Sequence, residues 1–130
     1  MKSFVFDTGV LTLLYADETR LRSEVEKIQS GAAEALVSSV TLAEFFYKTC
    51  QTLGRDTAAL RSRQLAERMR VLPAETELSE AAGLEKCRNT KLSLADSFVL
   101  ALAKRVGGVL LTTDSVLTQE KYVKVRYFEV

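Results

Sequence analysis

Four carboxylates stand where a neighbouring apolar element fixes their direction. Asp7 follows Phe4-Val5-Phe6, and Asp114 follows Val109 to Leu111 through Thr112-Thr113. Glu44 and Asp96 occupy matching places in two similar hexapeptides, Thr41-Leu42-Ala43-Glu44-Phe45-Phe46 and Ser93-Leu94-Ala95-Asp96-Ser97-Phe98. Each acid alone has an ordinary reading. Asp at a strand end caps a helix, and Ser or Thr followed three residues later by an acid is a capping box. Taken together they make a different object. If the strands are parallel, all four acids gather on the rim outside the strands' carboxyl ends, where helix N-termini also collect. Four carboxylates so placed repel one another unless a divalent cation sits between them. Oxygen-only ligands suit Mg²⁺ or Mn²⁺ rather than zinc. Such an ion activates water and neutralises phosphate charge, which is phosphodiester chemistry. The chain contains no histidine. Ser-His-Asp and Cys-His triads and histidine-ligated zinc are thereby excluded.

The elements that must hold these acids are legible as short apolar or β-branched runs, each followed by a stretch of helical period. Ser3 to Phe6, Ala35 to Ser38 and Val109 to Leu111 read as buried parallel strands. Thr41 to Leu53 and the segment carrying Ala58, Leu65 and Met69 read as amphipathic helices pressed onto a sheet. Val71 to Pro73 predicts a further short strand, with a helix beginning near Thr76. Val123, Val125 and Tyr127 alternate with Lys124 and Arg126, the pattern of an edge strand. Gly31, Gly54 and Gly107-Gly108 fall where helices should end. Strands separated by helices imply βαβ crossovers, so the fold class is α/β with a mainly parallel sheet covered on both faces. The 130 residues fit a single domain, 1–130.

The net charge of +1 offers no global basic field for nucleic acid. Lys86, Arg88 and Lys91, and Arg61, Arg63, Arg68 and Arg70, read as solvated helix faces. Cys50 and Cys87 lie outside any paired spacing and read as reduced core thiols. No apolar run approaches the roughly 20 residues of a membrane span, and no leader pattern precedes Asp7. A cytoplasmic protein without membrane contact is the expectation.

With these motifs in hand, the sequence resembles the PIN domain, and within it the VapC-like toxins of toxin and antitoxin pairs. The likeness rests on Phe4-Val5-Phe6-Asp7-Thr8, Thr41-Leu42-Ala43-Glu44, Leu92-Ser93-Leu94-Ala95-Asp96 and Leu110-Leu111-Thr112-Thr113-Asp114, in that order and spacing. No single motif is specific, and the ordered set carries the signal. The resemblance implies a three-layer α/β/α sandwich and an Mg²⁺- or Mn²⁺-dependent endoribonuclease that cuts single-stranded RNA. Asp7, Glu44, Asp96 and Asp114 match its acidic positions, and Thr112 a hydroxyl position beside them. By this likeness Asp7 and Asp96 are direct ligands, while Glu44 and Asp114 act mainly through bound water. Where related proteins often carry a further acid, this chain has Ser115-Val116-Leu117, so no fifth acid is expected. The resemblance also implies a homodimer and a cognate antitoxin protein. Phe45, Phe46 and Tyr47 are consecutive, so one helix cannot bury all three, and one of them is a candidate to meet a partner.

Other readings remain beside this one. An aspartyl phosphotransferase would place a second Asp two residues after Asp7, where this chain has Gly9, and a receiver-like module would want a lysine that Thr112 to Val116 lacks. A PIN nuclease of RNA processing or decay, or a catalytically silent PIN-like module that binds RNA or protein, shares the fold.

Overall fold

In the computed structural model, which describes residues 1–130, the apolar runs form five strands: β1 (Lys2–Phe6), β2 (Ala33–Ser38), β3 (Arg70–Leu72), β4 (Val109–Thr112) and β5 (Lys124–Tyr127). Six α-helices separate them: α1 (Thr8–Tyr15), α2 (Arg22–Gln29), α3 (Ser39–Leu53), α4 (Arg55–Arg68), α5 (Thr76–Arg88) and α6 (Leu94–Val106). Single 3₁₀ turns at Thr19–Leu21 and Ser115–Gln119 complete the chain. The sheet order is β3-β2-β1-β4-β5, and every pairing is parallel. The α/β sandwich expected from the sequence is therefore the fold, with β5 on an edge as its alternation requires.

Alternation along β1 decides which layer each residue serves, because successive side chains of a strand point to opposite faces. Phe4 and Phe6 join Ala33, Ala35, Val37 and Leu111 under α1, α2, α3 and α4, where Val10, Leu11, Phe45 and Leu65 complete the core. Val5 joins Leu36 and Leu110 on the other face, covered by Leu78 and Ala82 of α5 and the apolar run of α6. Consecutive buried residues in β1 and β2 are what a strand covered on both faces needs.

Chain order places the crevice. From β1 the sheet grows one way through β2 and β3, and the other way through β4 and β5, so the topological switch lies between β1 and β4. Ligand crevices in open α/β sheets form at that switch, outside the strands' carboxyl ends. Asp7 and Asp114 follow those two strands.

Three local expectations need correction. The helix anticipated from Thr41 begins at Ser39, because the Ser38 hydroxyl accepts the Val40 amide at 3.1 Å and caps it. Thr41 is thus inside the first turn and fully buried, with its hydroxyl unpartnered. Met69 lies just past α4, in extended backbone that leads into β3, yet still packs in the core. Cys87 is exposed on α5 and only Cys50 is half-buried, so the two thiols are free but not core residues. No helix is long and apolar enough to cross a membrane.

Candidate active site

Asp7 leaves β1 buried, 3 % exposed, and begins α1 as its N-cap: Oδ1 accepts the Val10 amide at 2.8 Å. Its Oδ2 accepts from the Thr112 hydroxyl and from the Thr113 amide at 3.0 Å. That hydroxyl in turn accepts the Asp114 amide at 2.9 Å, so the end of β4 is tied to the carboxylate that ends β1. Asp114 caps the following 3₁₀ turn through the Val116 amide at 2.9 Å. Both strand-end acids are therefore caps, and both also belong to one hydrogen-bonded corner. The two readings that the sequence left open are compatible.

Asp96 resolves differently from a complete capping box. The Ser93 hydroxyl accepts the Asp96 amide at 3.0 Å and caps α6. The Asp96 carboxyl makes no bond back to the Ser93 amide; it lies within hydrogen-bonding reach of the Asp114 carboxyl and of the Ser93 hydroxyl. Its pKa is pushed up to about 7, first by burial, then by that approach to Asp114 and by repulsion from Asp114 and Asp7. Asp114 is held below the usual carboxylate range, chiefly by the same approach to Asp96. Burial also raises Asp7, against the pull of its Thr112, Val10 and Thr113 donors. The last acid, Glu44, lies in the second turn of α3 rather than the first. Its Oε1 accepts from the Thr8 hydroxyl, and its Oε2 stands 3.9 Å from Lys48 Nζ. That exposed i,i+4 pair contributes at most about 0.5 kcal/mol.

All four acids, with Thr112, thus sit in one chain of contacts: Glu44 to Thr8, Thr8 by its peptide bond to Asp7, Asp7 through Thr112 to Asp114, and Asp114 to Asp96. Thr8 was not singled out from the sequence, although a hydroxyl residue directly after a strand-end acid was the available signal. The aromatic triplet divides as a helix requires: Phe45 is buried, Phe46 half-buried and Tyr47 exposed.

The donor set fits a hard divalent cation in kind. It is all oxygen, and the repulsion that raises Asp96 beside Asp114 and Asp7 is what a cation would relieve. In arrangement it is open, since no three of the carboxylates converge into a ready cage. Mg²⁺ ordinarily takes one or two carboxylates and keeps several waters, so an open set is sufficient. Asp7 has capacity left on Oδ1, which accepts a single amide, whereas Oδ2 already accepts two donors.

Two outcomes follow. Thr112→Val removes a donor from Asp7 and strands the Asp114 amide. Mn²⁺ affinity, read by calorimetry, should fall by about 10- to 100-fold, as for other partners that orient metal ligands. The second concerns pH. Asp96 binds its proton more tightly folded than unfolded, where an Asp titrates near 3.9. The native state then holds more protons between about pH 4 and 7, so stability of the metal-free protein falls as pH rises through that window. Glu18, Glu75 and Asp114, all lowered, act the opposite way, but below the ordinary carboxylate range. Melts of the metal-free protein should therefore give a lower Tm at pH 7 than at pH 5, Mn²⁺ should raise the value at pH 7, and Asp96→Asn should reduce the dependence to the share that buried Asp7 keeps.

The comparisons with known proteins agree on the scaffold. The family model for the PIN domain matches residues 4–121. No curated protein is similar enough in sequence to be matched. Among solved structures, VapBC2 from Rickettsia felis, bound to a DNA fragment from its promoter, superposes with a TM-score of 0.79 at 10% identity, covering 98% of this chain and 99% of that one. DNA-bound VapBC from Salmonella typhimurium gives 0.77 at 19% identity, covering 98% of each chain. Mycobacterium tuberculosis VapC20, a toxin that cleaves the sarcin-ricin loop, gives 0.68 at 16% identity, covering 92% of this chain and 98% of that one. At such identities the likeness is one of fold.

Proposed function

The chain belongs to the PIN domain family, a family of nucleases, and on that premise we propose that it is an Mg²⁺- or Mn²⁺-dependent endoribonuclease that cuts single-stranded RNA. The observation that carries this reading is the acidic corner, in which burial and mutual repulsion among Asp7, Asp96 and Asp114 push the Asp7 and Asp96 carboxyls up with no basic side chain between them. Of these four acids only Glu44 has a lysine or arginine within 4.0 Å, so no basic side chain neutralises the other three.

Asp7 and Asp96 would hold the cation, with Glu44 and Asp114 reaching it mainly through water. When bound, the cation supplies an activated water and neutralises charge that grows on the phosphate. The chain's own contribution is placement. Val10, Thr112 and Thr113 fix the Asp7 carboxylate, Thr8 fixes Glu44, and the Thr112 hydroxyl sets the separation of the two strand ends. Asp96 must surrender the proton it holds near neutrality before it can serve as a ligand, so cation binding should weaken below pH 7.

The biological role we assign is that of the toxin in a VapBC-type pair, acting in the cytoplasm as a homodimer and silenced by a cognate antitoxin. Support comes from the neighbours, which include VapBC complexes. It comes also from an open groove of about 830 Å³ between α1, α2 and α4, where half-buried Leu14, Tyr15, Val25 and Ile28 lie beside charged Asp17, Arg22, Glu26 and Arg68. Such a groove suits the apolar face of a partner segment. Purified protein with Mn²⁺ should produce internal cuts in a labelled single-stranded RNA and leave a matched duplex intact. Intact single strands at every divalent ion tried would refute the nuclease reading.

A further inference from the structure

Gly9, the second residue of α1, has no reason in its own backbone to be glycine: it lies in ordinary helix, and its φ is not in the left-handed region. Glycine at such a position forgoes about 1 kcal/mol of helix propensity relative to alanine. What the position does require is space. A Cβ there would overlap Thr113 Oγ1 and lie 3.0 Å from both Thr113 Cβ and Cγ2. Because the Thr113 Cβ is itself too near, turning the hydroxyl away does not clear a methyl group. The segment that occupies this space is the one that grips Asp7: the Thr113 amide donates to Oδ2 at 3.0 Å, and its neighbour Thr112 donates to the same oxygen. The next residue, Asp114, donates its amide to the Thr112 hydroxyl at 2.9 Å and so moves with the same segment.

We infer that Gly9 is a positioning residue of the active site, its missing side chain letting the Thr112–Asp114 segment close over the head of α1 and seat two donors on Asp7. Any side chain at position 9 pushes that segment outward. Asp7 then loses the Thr113 amide, and Asp114 moves away from Asp7 with the segment. This inference rests on the metal-dependent reading of the site and adds the device that sets its width. By contrast Gly83, in α5, has open space around it and serves as a matched control.

The test is Mn²⁺ calorimetry on Gly9→Ala, Thr113→Gly, the Gly9→Ala/Thr113→Gly pair and Gly83→Ala, with circular dichroism to verify the fold. Gly9→Ala should weaken Mn²⁺ about 10- to 100-fold, as loss of ligand-orienting contacts does. The double variant, which moves the gap to the other side of the contact, should recover to within a few-fold of wild type. Gly83→Ala should raise Tm and leave affinity unchanged. Exchange of the Thr113 amide hydrogen gives a readout without metal: it should quicken in Gly9→Ala and slow again in the double variant. If Gly9→Ala binds Mn²⁺ like wild type, or the double variant recovers nothing, the inference is wrong and the metal reading stands. If wild type binds no Mn²⁺, the metal reading itself falls, and unchanged Thr113 exchange in Gly9→Ala would remove the contact argument separately.

Discussion

Asp7→Asn should abolish RNA cleavage while leaving the fold in place, with kcat/KM down by well over the roughly 100-fold that removal of a merely orienting partner costs. The substitution keeps the side chain's shape. The N-cap bond from the Val10 amide can be kept by the amide oxygen, and Asn caps helices about as well as Asp. What it cannot keep is two acceptor oxygens, because the Oδ2 position then carries an NH₂ facing the Thr112 hydroxyl and the Thr113 amide. A negative charge 3 % exposed is also lost, at the centre of the acidic corner. A ligand should therefore vanish without the helix. Asp96→Asn should be similarly severe, whereas Glu44→Gln and Asp114→Asn, assigned to water-mediated roles, should lose less. Initial rates on a labelled RNA with Mn²⁺, alongside circular dichroism, check the ranking. Equal activity in Asp7→Asn would remove that residue from the site.

Phe6→Ala should cost about 3 to 5 kcal/mol of stability, the range for deleting a buried aromatic ring. Phe6 is 0 % exposed in the cluster beneath α1 to α4 and pairs in register with Leu111, the residue whose carbonyl accepts the Asp7 amide at 3.1 Å. Against a typical total of about 5 to 15 kcal/mol, this is enough to put a marginal domain close to its folding threshold. Urea denaturation should show the midpoint falling with little change in slope. Because Phe6 touches the backbone that carries Asp7, the folded fraction should also bind Mn²⁺ less tightly. Val5→Ala, one residue earlier on the opposite face, removes less apolar volume and should be milder.

The sequence disclosed the parts of this molecule that depend on local pattern. Period-two alternation marked β5 as an edge, apolar runs marked β1, β2 and β4 as buried, and glycines 31, 54 and 107 adopt the positive φ that ends helices. Asp7 and Asp114 were legible because a strand that stops at an acid leaves it little choice of direction. The readings that slipped were those where two local signals competed. Ser38 and Thr41 both offer a hydroxyl near the start of α3, and Ser38 prevails because β2 delivers it in extended backbone next to the first free amide. Contacts between distant elements left no pattern at all. The Thr8 bond to Glu44 joins residues 36 apart, and Gly9 against Thr113 joins the start of α1 to the end of β4. Each was visible only once the sheet order had brought β1 beside β4. The half-made capping box at Ser93 likewise needed the structure, since only the fold brings Asp114 beside the Asp96 carboxyl, which stays near Ser93 without bonding its amide.

On the proposed function, Asp7 and Asp96, supported by Glu44 and Asp114, hold a divalent cation. Calorimetric titration of Mn²⁺ into the purified protein at pH 7.5, repeated on Asp7→Asn and Asp96→Asn, tests it directly. Saturable binding by wild type, accompanied by proton release and absent from both variants, is the predicted result. Binding of equal strength in the variants, or none in the wild type, would contradict it.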